Sequence, residues 1–282
     1  MTRVHIAVPT AAALIVAFLA VLPGLAPAQG ATVLAPHRAV YDLKLTRTRG
    51  KRPIQSVRGR ILYDFAGSAC EGYALQFRQV SEIDSGEGKV ALSDLQATTW
   101  EDGDAKSFRF NSQNTVNDRV VDTVNGNAQR GSSEVEVKLT KPKAKTVDLV
   151  SKIVFPTEHM RRIIDAAKEG KTLLELPVYD GSENGEKTYS TLTVIGHEIA
   201  PDEKEPDDAA AGKPAMAQLK RWPVTISYFE QGVSPGEQLP VYAIGFELYE
   251  NGISRALSLD YGDFVVSGVM SQLEVKDVPP CK

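Results

Sequence analysis

The chain has 282 residues, with 32 Lys and Arg against 36 Asp and Glu, a formal charge of −4 and two cysteines. That mildly acidic balance excludes global attraction to nucleic acid or to an anionic membrane surface, and two cysteines by themselves cannot make a four-ligand zinc site. The length allows a substantial core in one large β-rich domain.

Arg3, the apolar run from Ala11 to Leu22, Pro23-Gly24 and then Ala26-Pro27-Ala28 have the order of an export leader. Residues 1–28 are expected to be a signal peptide cut after Ala28, with a cut after Gly30 as second choice, because the apolar run is short of a membrane span. Residues 31–282 are then a single exported domain, and losing Arg3 moves the formal charge to −5. Export favours pairing of Cys70 with Cys281. Two free thiols, or a bridge between chains, are the alternatives at this point. A bridge within the chain would clip the C-terminus to the first quarter of the fold and, on a chain-entropy argument, contribute at most ~5 kcal/mol.

The exported chain opens with HRAVYDLKLTRT (His37 to Thr48), in which Ala39, Tyr41, Leu43 and Leu45 alternate with charged residues as in a half-buried strand. Arg58 to Phe65, Tyr73 to Ile83, Lys89 to Trp100 and Lys106 to Phe110 follow as strands separated by Gly- and Asp-rich turns. Residues 111–130 are polar and rich in asparagine, with Asn125-Gly126 the expected tight turn. Gly131 to Lys141 resumes the alternation, and Lys138, Lys141, Lys143 and Lys145 make a basic hairpin tip around Pro142.

TEHMRRIIDAAKEG (Thr157 to Gly170) is the one convincing helix. Met160, Ile163, Ile164 and Ala167 share a face at i, i+3, i+4 and i+7. Thr157 is the expected N-cap and Gly170 the left-handed stop. Glu158 with Arg162 and Arg161 with Asp165 are spaced to pair, and His159 falls off the apolar face. Lys171 to Tyr179 and Lys187 to Glu198 form an expected hairpin. Residues 200–220, with three prolines and an acidic cluster, are expected to be an exposed, flexible excursion. Strands return at Pro223 to Phe229, Pro240 to Tyr249, Gly252 to Tyr261 and Asp263 to Leu273, with turns at Asn251-Gly252 and Gly262. About a dozen strands on short links imply a mainly β, largely antiparallel sheet around one amphipathic helix.

No catalytic, cofactor-binding or metal-ligating set is legible. Asp180, Ser182, Asn184 and Gly185 have the first half of a calcium loop's spacing, but Thr191 stands at the twelfth position where a bidentate Glu is required, so a hairpin tip is expected. His37, His159 and His197 lack ligand spacing, and no nucleophile-elbow or phosphate-loop motif occurs. The aromatics Tyr228, Phe229, Tyr242, Phe246 and Tyr249 are read as core. The basic tip is read as a solvated hairpin end, with contact to an anionic envelope polymer or lipid as its functional alternative.

Five stretches carry a resemblance: APHRAVYDLKL (Ala35 to Leu45), FPTEHMRRIIDAAKEG (Phe155 to Gly170), PVYDGSENGEKTY (Pro177 to Tyr189), VIGHEI (Val194 to Ile199) and YGDFVVSG (Tyr261 to Gly268). The sequence resembles the cell-envelope integrity protein EipB family over nearly all of the exported chain except 200–220. The resemblance implies a periplasmic protein of Gram-negative bacteria, folded as an open, spiral-like β-barrel around a helix. It implies one internal disulfide, falling on Cys70 and Cys281, and a role under envelope stress with a tetratricopeptide-repeat partner. It supplies no catalytic residues. The function expected is a non-enzymatic periplasmic factor acting through protein contacts, the alternative being a carrier of lipid or another amphiphile.

Overall fold

The computed structural model describes residues 32–49, 54–86, 88–203, 206–231, 239–279 and 281; the expected export leader lies outside them. Fourteen strands and one helix are described: β1 (His37–Thr48), β2 (Ser56–Ser68), β3 (Gly72–Asp84), β4 (Val90–Glu101), β5 (Ser107–Val116), β6 (Arg119–Arg130), β7 (Glu134–Lys141), β8 (Lys145–Val150), α1 (Pro156–Lys168), β9 (Leu173–Val178), β10 (Tyr189–Ile195), β11 (Arg221–Glu230), β12 (Tyr242–Tyr249), β13 (Ser254–Asp260) and β14 (Phe264–Val275).

All strands join one antiparallel sheet in the order β8-β7-β6-β5-β4-β3-β2-β1-β14-β13-β12-β11-β10-β9. Each half is a meander, as short links dictate. The β1–β14 pair joins the halves, aligning Ala39 with Leu273 and Leu43 with Gly268. The two ends of the sheet, β8 and β9, do not pair with each other, so the barrel stays open. The segment between β8 and α1 reaches across: Val154 donates its N–H to Pro177 O at 2.8 Å and accepts that of Tyr179 at 3.0 Å. The mainly β, open barrel around a helix expected from the sequence is the observed architecture.

Inward positions alternate as the strand period requires. They make three apolar clusters: one around α1, one beneath residues 209–219, and one beside β5–β8 built on Phe108, Phe110, Phe155 and Tyr179. Cys70, in the β2–β3 turn, is joined to Cys281 by a disulfide with Cα atoms 5.6 Å apart.

Two sequence expectations change. Asn125-Gly126 is not a turn but lies within β6. The turn sits at Asn117-Asp118, whose φ values of 48° and 62° give the paired left-handed residues of a two-residue hairpin. Residues 111–130 are therefore two strands, polar because their outward face carries the asparagines.

The expected excursion at 200–220 is also docked over much of its length. Asp208 pairs with Arg255 at 2.8 Å, both nearly solvent-free. Ala209 donates its N–H to Met270 O at 3.1 Å. Ala210 and Met216 are buried with Tyr249, Ile253 and Met270. The cause is electrostatic: Arg255 on β13 and Arg221 on β11 are buried cations sharing Glu247, at 2.5 and 2.7 Å, and a second carboxylate must be brought in to balance them.

Candidate functional site

The site is the interior bordered by α1, and its geometry starts with how the helix is held. Thr157 is not the N-cap. Phe155 occupies that position without a side-chain cap, and Pro156 begins the first turn. The orphan N–H groups of Thr157 and Glu158 donate instead to the two oxygens of Glu101, at 2.6 and 2.7 Å. Burial pushes the Glu101 carboxyl up to about 7, against the lowering effect of those bonds.

Arg130 fixes the approach. It donates to the carbonyls of Ala105, Ser151 and Ile153, each at 2.9 Å, and pairs with Glu158 at 2.9 Å. Glu158 also pairs with Arg162 at 2.5 Å. Arg161 and Asp165 are not paired: Arg161 donates to Gly103 O at 2.8 Å, and Asp165 accepts from Thr32 at 2.6 Å. Gly170 supplies the left-handed stop at φ 74°, and Lys171 N–H closes onto Ala166 O at 2.9 Å.

Ile163, Ile164 and Ala167 are buried against Trp222, Val224, Ile226 and Leu248, and Met160 is partly buried beside them. The buried face is wider than the apolar stripe, because the helix sits inside a curled sheet rather than on one. His159, expected off that face, is therefore 4% exposed. Its Nε2 lies 3.5 Å from the Thr191 hydroxyl, which donates to Leu176 O at 2.8 Å. The imidazole thus donates to Thr191 through Nε2. Burial, then the nearby Arg162, holds its pKa at about 4, so it is neutral at pH 7.

Beside Met160 and His159 is a chamber of about 380 Å³, walled by Tyr63, Phe65, Phe77, Ile226 and Tyr228. A second of about 180 Å³, walled by Ile61, Tyr242, Ile244 and Phe246, shares Met160, His37, Tyr63 and Phe77 with it. The rings form two ladders across the strands. Tyr63 lies 5.4 Å from His37 and 6.3 Å from Phe65. Tyr228 lies 6.0 Å from Tyr189 and 5.9 Å from Tyr242. The sequence marked Tyr228, Tyr242 and Phe246 as core: Phe246 is a buried member of the cluster around α1, and the partly buried Tyr228 and Tyr242 pack against core clusters while also lining the chambers.

Polar groups are few in this apolar interior. Burial raises the phenols of Tyr63, Tyr228 and Tyr242, Tyr63 to about 12. His37 contacts Ala35 O at 2.8 Å through Nδ1, and burial lowers its pKa. Asp180 borders the larger chamber, and burial raises its carboxyl.

The loop after Asp180 is a turn. Asp180 accepts Ser182 N–H at 2.9 Å, Asn184 accepts Glu186 N–H at 3.0 Å, and Tyr179 donates to Gly185 O at 2.7 Å. Gly181 is required there, since a Cβ would meet the Phe110 ring at 2.5 Å. Among the described residues no three His, Cys, Asp or Glu side chains converge as metal ligands, and no helix is long and apolar enough to cross a membrane.

A sheet wound around one helix, with an aromatic chamber beside it, defines the class of open β-barrel-like proteins. A crystal structure described as a β-barrel-like protein of a domain of unknown function from Brucella abortus matches with a TM-score of 0.79 and 39% identity, covering 86% of this chain and 99% of that one. The EipB-like family model matches residues 28–277. The cell envelope integrity protein EipB of Brucella abortus (strain 2308) is 40% identical over 254 residues, 90% of this chain and 89% of that protein. This chain belongs to the EipB-like family.

Proposed function

We propose that this chain is a non-enzymatic factor that maintains the cell envelope from the periplasm, and that it does so by holding the apolar part of an envelope amphiphile beside α1. The envelope role is supported by the name of the 40% identical relative. The amphiphile rests on one observation, the 380 Å³ chamber lined by rings and Met160, a size and lining typical of small-molecule sites. The phenols of Tyr63, Tyr228 and Tyr242 suit the acceptor-bearing end of such a ligand, while His37, its Nδ1–H given to Ala35 O, presents Nε2 as an acceptor.

Native mass spectrometry of protein purified from cells tests this. The reading expects a co-purified lipid, and expects Ile226→Trp, which fills the chamber, to abolish both that adduct and displaceable binding of a fluorescent fatty acid. Absence of both from folded wild-type protein counts against it.

Protein contact is the second reading, favoured by β8, a sheet end that offers backbone groups to an extended partner segment. A tetratricopeptide-repeat protein is the partner expected from the family resemblance. A photo-crosslinker at exposed Asp148 in β8 should trap it in periplasm; recovery of only the uncrosslinked chain removes this reading.

A further inference from the structure

A groove of about 740 Å³ lies on the outward face of β4–β7. Register places two cross-strand rows there. Trp100, Arg109, Asn127 and Lys138 stand opposite one another in sequence across the four strands. Beside them run Thr98, Asn111 and Asn125, with Thr140 on β7 completing the row.

The second row is already ordered. Thr140 donates to Asn125 Oδ1 at 2.6 Å, and Asn125 Nδ2 donates to Asn111 Oδ1 at 3.3 Å. Each amide keeps N–H capacity and a second oxygen lone pair, so the row can both donate to and accept from hydroxyls. In the first row the Arg109 guanidinium lies 4.2 Å over the Trp100 ring. The indole is backed by Gly72, where an added Cβ would meet the ring at 2.6 Å. Arg109 is thus stacked and pre-oriented, yet has no carboxylate partner among the described residues.

Lys138 pairs with Glu136 at 2.6 Å and Lys145 with Glu186 at 2.5 Å. Lys141 and Lys143 at the hairpin tip have no ion pair among the described residues.

We infer that this shelf binds an acidic oligosaccharide, its acidic groups on Arg109 and its hydroxyls along the amide row. A row of amides that both donates and accepts suits a ligand rich in hydroxyls, with negative charge for the stacked guanidinium. A peptide adding a strand fits poorly, because these strands' backbone groups are consumed by the ladder. An acyl chain would leave Arg109 and the amide row without hydrogen-bond partners.

The test is an amide-resolved NMR titration of the full chain at physiological salt. The probes are oligogalacturonate, a neutral maltodextrin oligomer, polyglutamate and inorganic phosphate. The inference expects oligogalacturonate to shift the side-chain amides of Asn111, Asn125 and Asn127, with neither maltodextrin nor polyglutamate matching its affinity. Arg109→Gln should weaken binding about tenfold, the scale of one charge-assisted hydrogen bond, and Asn111→Ala several-fold. Both residues are exposed, so both variants should keep the wild-type melting temperature. Equal binding of polyglutamate or phosphate, equal binding of maltodextrin, shifts confined to other surfaces, no binding, or unchanged affinity in both variants would each overturn it.

Discussion

The Glu101 carboxylate accepts the backbone N–H of Thr157 at 2.6 Å and so caps a helix 56 positions further along the chain. A buried acid raised to about 7 and a buried histidine held at about 4 therefore flank the same helical turn. Folding favours protonated Glu101, so its contribution is full below about 4.5 and lost as pH rises through about 7. Folding favours neutral His159, so its contribution is full above about 6.5 and lost as pH falls through about 4. Each is worth about 3 kcal/mol at 1.36 kcal/mol per pH unit.

Between pH 4.5 and 6.5 these two slopes oppose and largely cancel. Removing either partner should expose the other. Relative to wild type, urea-derived stability of Glu101→Gln should rise with pH across that window, and that of His159→Asn should fall. Curves for both variants parallel to wild type would refute the assignment.

Loss of Asp208 should undock the segment it holds. Asp208→Ala strips a buried anion from Arg255, which for a buried pair costs about 3–5 kcal/mol. Hydrogen exchange should accelerate across residues 206–219 before the rest of the sheet responds. Unchanged protection there means that Met216 and Ala210 hold the segment without the charge.

The disulfide should act as one unit. Cys281→Ser should lower stability by about 2–5 kcal/mol, and Cys70→Ser and the double variant should match it to within about 0.5 kcal/mol, since each deletes the same bond. Alkylation of either thiol in non-reduced protein would show that the bond is not present in solution.

The two faces of α1 should respond differently. Ile164 is fully buried, so Ile164→Ala should cost about 2–5 kcal/mol. Arg162 is half exposed and makes an i,i+4 pair, so Arg162→Ala should cost under about 1 kcal/mol. Equal losses on thermal melting would place the helix outside the core.

Local periodicity already carried most strands, though not β6, together with the helix span and its Gly170 stop, because the period-2 and 3.6-residue patterns are written in neighbouring residues. Ile163, Ile164 and Ala167 were readable as buried for that reason, whereas export only favoured pairing of Cys70 with Cys281, and free thiols or a bridge between chains stayed open until the fold brought the two together. What could not be read were relationships between distant residues. Nothing near Thr157 announces that Glu101 caps the turn, nothing at Asp208 announces Arg255, and His159 is buried only because the sheet curls around both sides of α1. Asn125-Gly126 has turn chemistry, yet its place in the ladder puts it mid-strand. Whether Tyr228 and Tyr242 fill a core or line a chamber likewise depends on how far the helix stands from the wall, a distance that only the wound sheet sets.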